Sequence, residues 1–226
     1  MIKISTIALA MLLLFVPLPA GFVERFYSTG IYPFFQSALT PLTNLAPFAI
    51  VDLLLVVSAV GLPSWWIARI VRAGRGRRLP AMGGLLFNTV VLLAGLFLVF
   101  EILWGFNYMR KPLAAKLEYD EQRLTRDSLK QLARATVAGL NQESASVHSG
   151  KWPDEGEWRS ELHESFEAAV KEMGNSTGIA PAEPKESLLN PYLAAAGIEG
   201  FVNPFGHEVV LDRDLLAFEK PFTLAH

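Results

Sequence analysis

The chain has 226 residues, of which 51% are hydrophobic and 19% are charged, whereas soluble domains average about 25% charged residues. The net charge of −2 hides an asymmetry, because residues 1–107 carry seven basic and three acidic side chains and residues 108–226 carry thirteen and nineteen. The apolar first half favours a membrane protein, the acidic second half argues against a nucleic-acid partner, and the lack of cysteine excludes disulfides and cysteine-based zinc sites.

Three long apolar stretches predict helices that cross a lipid bilayer. They run from about residue 4 to 22, 47 to 67 and 82 to 106, and each is close to the ~20 residues that a helix needs to span ~30 Å of hydrocarbon. The first stretch admits a second interpretation, a cleaved signal peptide, in which Lys3 precedes the apolar run and Leu18-Pro19-Ala20 forms the cleavage region.

The loop between the second and third stretches sets the expected orientation. Residues 68–80 contain five arginines, and a basic cluster beside a span marks the cytoplasmic side. An alternative role for the cluster, anchoring to anionic lipids, implies the same side. We therefore expect residues 1–107 to form the membrane domain of a multi-pass protein of the cytoplasmic membrane. The N-terminus would lie inside and residues 108–226 outside.

Two acidic residues lie inside the predicted spans. Asp52 and Glu101 are each about five residues from the outer end of their span, so they lie about 8 Å below the outer surface at ~1.5 Å per residue. A carboxylate at that depth is costly, which makes each residue a functional candidate, for example in a transport or sensor subunit. The competing interpretation, which we favour, is a hydrogen bond to a neighbouring span or to interfacial water.

The segment between the first two spans is unusually aromatic. Residues 26–35 hold five aromatic side chains, which is too apolar for a free loop. The segment either lies in the membrane interface or packs beneath the external domain, and we favour burial.

The external half is predicted to be mainly helical with one hairpin. Apolar residues at helical spacing predict a helix over about 126–142. A second helix begins near Asp154, a good N-cap, and carries Trp158 on its apolar stripe. Two short β-rich runs joined by the turn Asn203–Gly206 predict a hairpin near 198–213.

Two histidines invite comparison with the zinc-peptidase helix H-E-x-x-H, in which two histidines bind Zn²⁺ and the glutamate is the general base. His207 does not fit, because Leu211 stands four positions later in a strand-like segment, although Glu208 could still face a site from that strand. His226 fits better. Pro221 is well placed as the first residue of a helix, which puts His226 in the second turn as a candidate first zinc ligand.

Four stretches together resemble an uncharacterised bacterial family of membrane proteins, catalogued only as a domain of unknown function. The matching stretches are 27–33, 104–108 with 112–113, 200–205 and 219–226. The resemblance covers essentially the whole chain. It implies three membrane spans followed by a zincin-like domain that binds Zn²⁺, with His226 as the first ligand. It also implies that the strand 209–212 would pair with an extended peptide substrate.

The resemblance leaves the motif incomplete, because the Glu and the second His of H-E-x-x-H are absent from these 226 residues. The expected fold is a mainly α membrane protein with three N-terminal transmembrane helices and a partial α+β zincin-like external domain. The expected function is that of a fragment of a membrane-anchored zinc-metallopeptidase-like protein, inactive as given and without tight zinc binding. The alternative is a non-enzymatic integral membrane protein with an external binding or assembly domain.

Overall fold

The computed structural model describes four stretches of the chain, residues 1–115, 120–149, 154–172 and 182–225. Within them the chain divides into two compact units. The first unit holds residues 1–110 and 182–216, and the second holds the described residues between 111 and 172 together with Ala217–Ala225. Helices make up most of the described chain, and the first unit also contains a small sheet.

The first predicted span is broken at its prolines. Helix α1 (Ile2–Phe15) ends just before Pro17 and Pro19, which lack the N–H that a continuing helix needs. Helical structure resumes at Ala20, and we call the stretch from there to Asn44 the elbow segment (Ala20–Asn44). It consists of α2 (Ala20–Phe22), a π-helix (Val23–Ile31) and α3 (Tyr32–Asn44). The elbow segment lies at 106° to α1, so the stretch 4–22 is not one straight helix.

Two helices of the first unit are long and apolar enough to cross a membrane. They are α4 (Ile50–Arg72), with 23 residues, and α5 (Arg78–Leu103), with 26 residues, or about 35 and 39 Å at 1.5 Å per residue. The bent pair of α1 and the elbow segment would add a third if it formed one span. Helix α1 packs along α5, where Lys3 Nζ donates to Asn88 Oδ1 at 2.6 Å.

A small three-stranded sheet completes the first unit. Its strands are β1 (Lys185–Glu186), β2 (Gly200–Asn203) and β3 (Glu208–Leu211), in the order β1-β3-β2. The hairpin expected near 198–213 corresponds to β2 and β3, which pair antiparallel. Strand β1 pairs parallel with β3 and precedes helix α8 (Asn190–Ala196). Helix α8 ends at Gly197, whose φ of +66° suits a residue without a side chain.

The second unit contains helices whose starts follow from local capping. Helix α6 (Arg126–Ser149) begins with reciprocal hydrogen bonds between Thr125 and Ser128, each hydroxyl accepting from the other backbone N–H. Helix α7 (Glu155–Glu172) begins as predicted at Asp154, whose Oδ1 accepts from the Glu157 N–H at 3.0 Å. A short helix, α9 (Lys220–Ala225), follows later in the chain.

Candidate functional site

The best-defined polar site lies where the hairpin meets the start of α4. At its centre is Glu208, the first residue of β3, which is only 1% exposed. Its Oε1 accepts hydrogen bonds from the Ile50 N–H at 2.9 Å and from Lys185 Nζ at 2.8 Å. Its Oε2 accepts from the Val51 N–H at 3.2 Å and from Asn203 Nδ2 at 2.9 Å. The carboxylate therefore binds the end of a helix and two buried side chains at once.

The start of α4 explains why Glu208 lies there. The first N–H groups of a helix have no acceptor within the helix, and the helix dipole makes that end attractive to an anion. The residue that precedes α4, Ala49, offers no side-chain cap, so Glu208 supplies the missing acceptors from the hairpin. A carboxylate has about four lone-pair positions, and four donors already occupy them. Glu208 therefore has no free acceptor for a metal or a substrate.

Lys185 of β1 is the counter-ion of Glu208. The side chains of Lys185 and Glu208 are 4% and 0% exposed. Lys185 also donates to the backbone carbonyl of Thr43, near the end of α3. The Thr43 hydroxyl in turn lies 3.1 Å from the carbonyl oxygen of Gly206 in the hairpin turn. Buried polar contacts therefore join α3, β1 and the hairpin to each other as well as to α4.

Asp52, in the first turn of α4, makes a second connection of the same kind. Its carboxylate accepts from Ser187 Oγ at 3.0 and 3.2 Å and from the Leu188 N–H at 2.6 Å. Asp52 and Ser187 are each 2% exposed. We call Asp52, Glu208, Lys185, Ser187, Asn203 and their backbone partners the carboxylate junction. Both carboxylates fix the sheet region to the same end of α4.

Glu208 and the neighbouring His207 are both expected to resist protonation in the folded protein. Burial raises the pKa of the Glu208 carboxyl, but hydrogen bonds from Lys185, Ile50 and Asn203 outweigh burial and hold that pKa below its ordinary value. Burial lowers the pKa of the His207 imidazole. In both cases the unfolded chain binds the proton more readily, so the free energy of unfolding decreases as the pH falls.

We therefore expect the unfolding temperature of the purified protein to fall between about pH 7.5 and pH 3. His207 makes its full contribution to the free energy of unfolding above the ordinary histidine pKa of about 6.5, and this contribution is lost below that pH. Glu208 makes its full contribution above the ordinary glutamate pKa of about 4.3 and loses it at lower pH. Thermal unfolding in detergent across this range measures the slope. His207→Asn removes one titration and should flatten the slope between about pH 6.5 and 5. A slope in His207→Asn equal to that of the parent protein would contradict this assignment.

His207 itself lies in a strained and unusual position. It adopts a left-handed backbone with φ of +53° in the hairpin turn and is 4% exposed. Its ring packs against Tyr32, with centroids 5.4 Å apart, and against Trp104, with centroids 6.0 Å apart. Within the described part of the chain neither ring nitrogen has a hydrogen-bond partner. His207 is therefore held by aromatic packing at the point where the hairpin reaches α5.

Glu101 lies apart from the carboxylate junction, near the C-terminal end of α5. It is 6% exposed, and its Oε2 has no hydrogen-bond partner among the described residues. The carboxylate packs directly on Gly105, where an added Cβ would lie 2.8 Å from Glu101 Cδ. The nearby Tyr27 hydroxyl donates to the Ile102 carbonyl at 2.9 Å. Sequence depth alone suggested similar roles for Glu101 and Asp52, and the structure gives them different surroundings.

The strand that the resemblance assigns to substrate binding is central in the sheet. Val210 and Leu211 of β3 pair with β1 on one side and with β2 on the other. An extended peptide adds to a free strand edge, and these two residues have none. Val210 and Leu211 therefore offer no free edge to an extended peptide, and the outer edges of the sheet belong to β1 and β2. Pairing of a substrate with the strand 209–212 stays a prediction.

The predicted zinc ligand, His226, lies outside the described residues. Helix α9 ends immediately before it, at Ala225, and contains Pro221 as its second residue. Among the described residues no three His, Cys, Asp or Glu side chains are grouped so that they could hold a metal ion. The described residues therefore do not by themselves fit a zinc site.

Several residues of the carboxylate junction carry no signal in the sequence. Lys185 and Ser187 lie in a polar stretch where either side chain would ordinarily be exposed. Asn203 stands before Pro204 and is explained locally as a turn residue. Their roles depend on partners that are distant in the chain, such as Asp52, 135 positions from Ser187.

Fold and site together define a mainly helical protein. Among its described residues two or three helices are long and apolar enough to cross a membrane, and a small sheet is fixed to the start of one of them. The chain belongs to the family described as Protein of unknown function (DUF3810), which it matches over residues 27–226. The match includes the greater part of the elbow segment, both long helices and the whole carboxylate junction. No curated protein and no solved structure matches the chain.

Proposed function

We propose that this chain is the membrane-anchoring part of a zinc-metallopeptidase-like protein, in which His226 is the first zinc ligand. The observation that carries the proposal is α9, because H-E-x-x-H is a helical motif and a helix runs from Lys220 to the residue before His226. The carboxylate junction supports it, since it fixes a sheet at the end of the membrane helices, where a catalytic face could be presented.

The junction residues do not take part in that chemistry. Glu208 has no free acceptor, and Asp52 is held by Ser187 and Leu188, so the other ligands would come from outside the described residues. Bound zinc would supply Lewis-acid polarisation of a carbonyl and a water of lowered pKa. An extended peptide substrate would pair with the outer edge of β2, because β3 is already paired on both sides.

The alternative is a non-enzymatic membrane protein whose external part is a binding or assembly module. One observation favours it, because both carboxylates of the junction serve to hold the sheet on α4 and neither is directed at a ligand. In this alternative the carboxylate junction holds the sheet in a fixed position on α4, where a partner protein binds it, and His226 has no special role.

Zinc content separates the two functions. We expect the product of the complete gene, purified in detergent and dialysed against zinc, to hold about one zinc ion per chain. His226→Ala should lose that zinc, because removing a ligand from a site with three protein ligands abolishes tight binding. His163→Ala, on α7, is the matched control and should keep it. Elemental analysis measures the zinc content. If His226→Ala kept its zinc, or if the parent protein held none, the non-enzymatic assembly module would be the better description of the function.

We also propose that the protein lies in the bacterial cytoplasmic membrane with loop 68–80 inside and residues 108–226 outside. The positive-inside rule supports this orientation. Because the chain has no cysteine, single cysteines can be labelled without background. In spheroplasts an impermeant maleimide should label Asp127→Cys at once and Gly76→Cys only after permeabilisation. Labelling of Gly76→Cys in intact spheroplasts would reverse the orientation.

A further inference from the structure

The elbow segment has an apolar face that the protein leaves uncovered. Five large apolar residues recur along it and are each at least 50% exposed: Phe22, Phe26, Ile31, Phe34 and Leu42. They follow one another at helical intervals, with a longer step inside the π-helix, so they share one side of the segment.

The opposite face of the elbow segment is buried and, beside the apolar Val23, carries polar groups that bond to the rest of the first unit. Glu24 accepts a bidentate pair of hydrogen bonds from Arg110 at 2.9 and 3.1 Å. Ser28 Oγ donates to Asn107 Oδ1 at 3.0 Å. Tyr27 and Thr43 also make buried contacts on this side.

This arrangement is the reverse of that in a water-exposed helix, where apolar residues face the core and polar residues face solvent. A helix that bonds its polar groups inward and exposes large apolar side chains outward fits surroundings that are themselves apolar. In a protein whose long helices expose Leu53, Val57 and Leu93 along their length, those surroundings are lipid.

The position of the elbow segment matches one boundary of the bilayer. It turns away from α1 by 106°, and α1 packs against α5. Tyr27 bonds Ile102 at the last turn of α5 and Ser28 bonds Asn107 just beyond it. The segment is therefore level with the end of α5.

We propose that the elbow segment is an interfacial helix, whose exposed face of Phe22, Phe26, Ile31 and Phe34 inserts into one leaflet of the bilayer. Arg25, whose guanidinium lies 5.6 Å from the Phe26 ring centroid, is placed to reach the headgroups as its stem covers apolar surface. Such helices are buried about 5–10 Å into the boundary between headgroups and acyl chains. The proposal is independent of the zinc hypothesis.

Depth-dependent quenching tests this proposal. Two single variants, Phe26→Cys and Phe34→Cys, are each labelled with an environment-sensitive fluorophore and placed in nanodiscs that hold one protein each. The phosphatidylcholine of the discs carries a nitroxide quencher at either a shallow or a deep position of the acyl chain. Asp127→Cys, whose side chain is 88% exposed on α6, is the matched control. We expect a blue shift and loss of emission at positions 26 and 34 with the shallow quencher, a smaller loss with the deep quencher, and neither effect at position 127.

Each other outcome overturns the proposal. Stronger quenching by the deep nitroxide would make the elbow segment part of a span. Absence of quenching at 26 and 34 would mean that protein or water covers the face. If unlabelled Phe26→Cys chains, placed two to a disc in a separate sample, form a disulfide with each other, the occupant is a second copy. Repeating the shallow-quencher experiment with phosphatidylglycerol shows whether Arg25 adds a preference for anionic headgroups, which should appear as a further loss of emission.

Discussion

Glu208→Gln is expected to destabilise the protein by about 3–5 kcal/mol, the usual cost of removing one partner of a buried ion pair. The substitution leaves the Lys185 ammonium, 4% exposed, without a counter-charge. It also places an amide N–H₂ among donors, because each carboxylate oxygen of Glu208 now accepts two hydrogen bonds. The start of α4 keeps at most one of its two side-chain acceptors and loses the negative charge beside it.

Thermal unfolding in detergent, followed by the fluorescence of the tryptophans, measures this loss. Glu186→Gln is the matched control, since Glu186 is the next residue of β1 after Lys185 and is exposed, and it should be nearly neutral. The double variant Glu208→Gln with Lys185→Met should recover part of the loss, because it removes the unpaired charge. If Glu208→Gln were as stable as Glu186→Gln, the carboxylate junction could not be what holds the hairpin on α4.

Asp52→Asn is expected to cost about 1.5–3 kcal/mol, the range for hydrogen bonds to a charged group. The substitution keeps the shape of the side chain but gives it a donor that must face either the Ser187 hydroxyl or the Leu188 N–H. The attachment of β1 to α4 should loosen first, so amide hydrogen exchange at Leu188 should accelerate together with the loss of unfolding temperature.

Two controls separate this effect from a general loss of charge. Asp127→Asn on α6, whose side chain is 88% exposed, should change neither stability nor exchange. Ser187→Ala should cost about 1 kcal/mol, and combined with Asp52→Asn it should cost less than the sum of the two, because both remove the same contact. Additive losses would show that Asp52 and Ser187 act separately.

The sequence predicts those parts of the fold that depend on local pattern. Hydropathy predicts α4 and α5, the N-cap residue Asp154 predicts the start of α7, and the turn residues predict the hairpin of β2 and β3. The break at Phe15 is missed because a hydropathy window averages over composition, and Pro17 and Pro19 change the composition little although they end the helix.

The site is predicted only in part, for the same reason. Depth in a span singles out Asp52, and position on a strand singles out Glu208, but neither pattern shows that both meet the start of α4. Lys185, the counter-ion, has nothing in its neighbourhood that distinguishes it from an exposed lysine. The aromatic segment 26–35 was expected to be either interfacial or buried, and the structure buries its Tyr27 and exposes its Phe26 and Phe34. The zinc site at His226 stays a prediction.

The cap on α4 has a consequence for how the protein is made. Glu208 lies 158 positions after Ile50, so when α4 leaves the ribosome the group that completes its first turn has not been synthesised. At roughly 5–20 residues per second, about 8 to 30 seconds pass before it emerges. During biogenesis the positive end of α4 must be satisfied by water or by a lipid phosphate. Closure of the junction is thus a late event that exchanges this temporary partner for the hairpin.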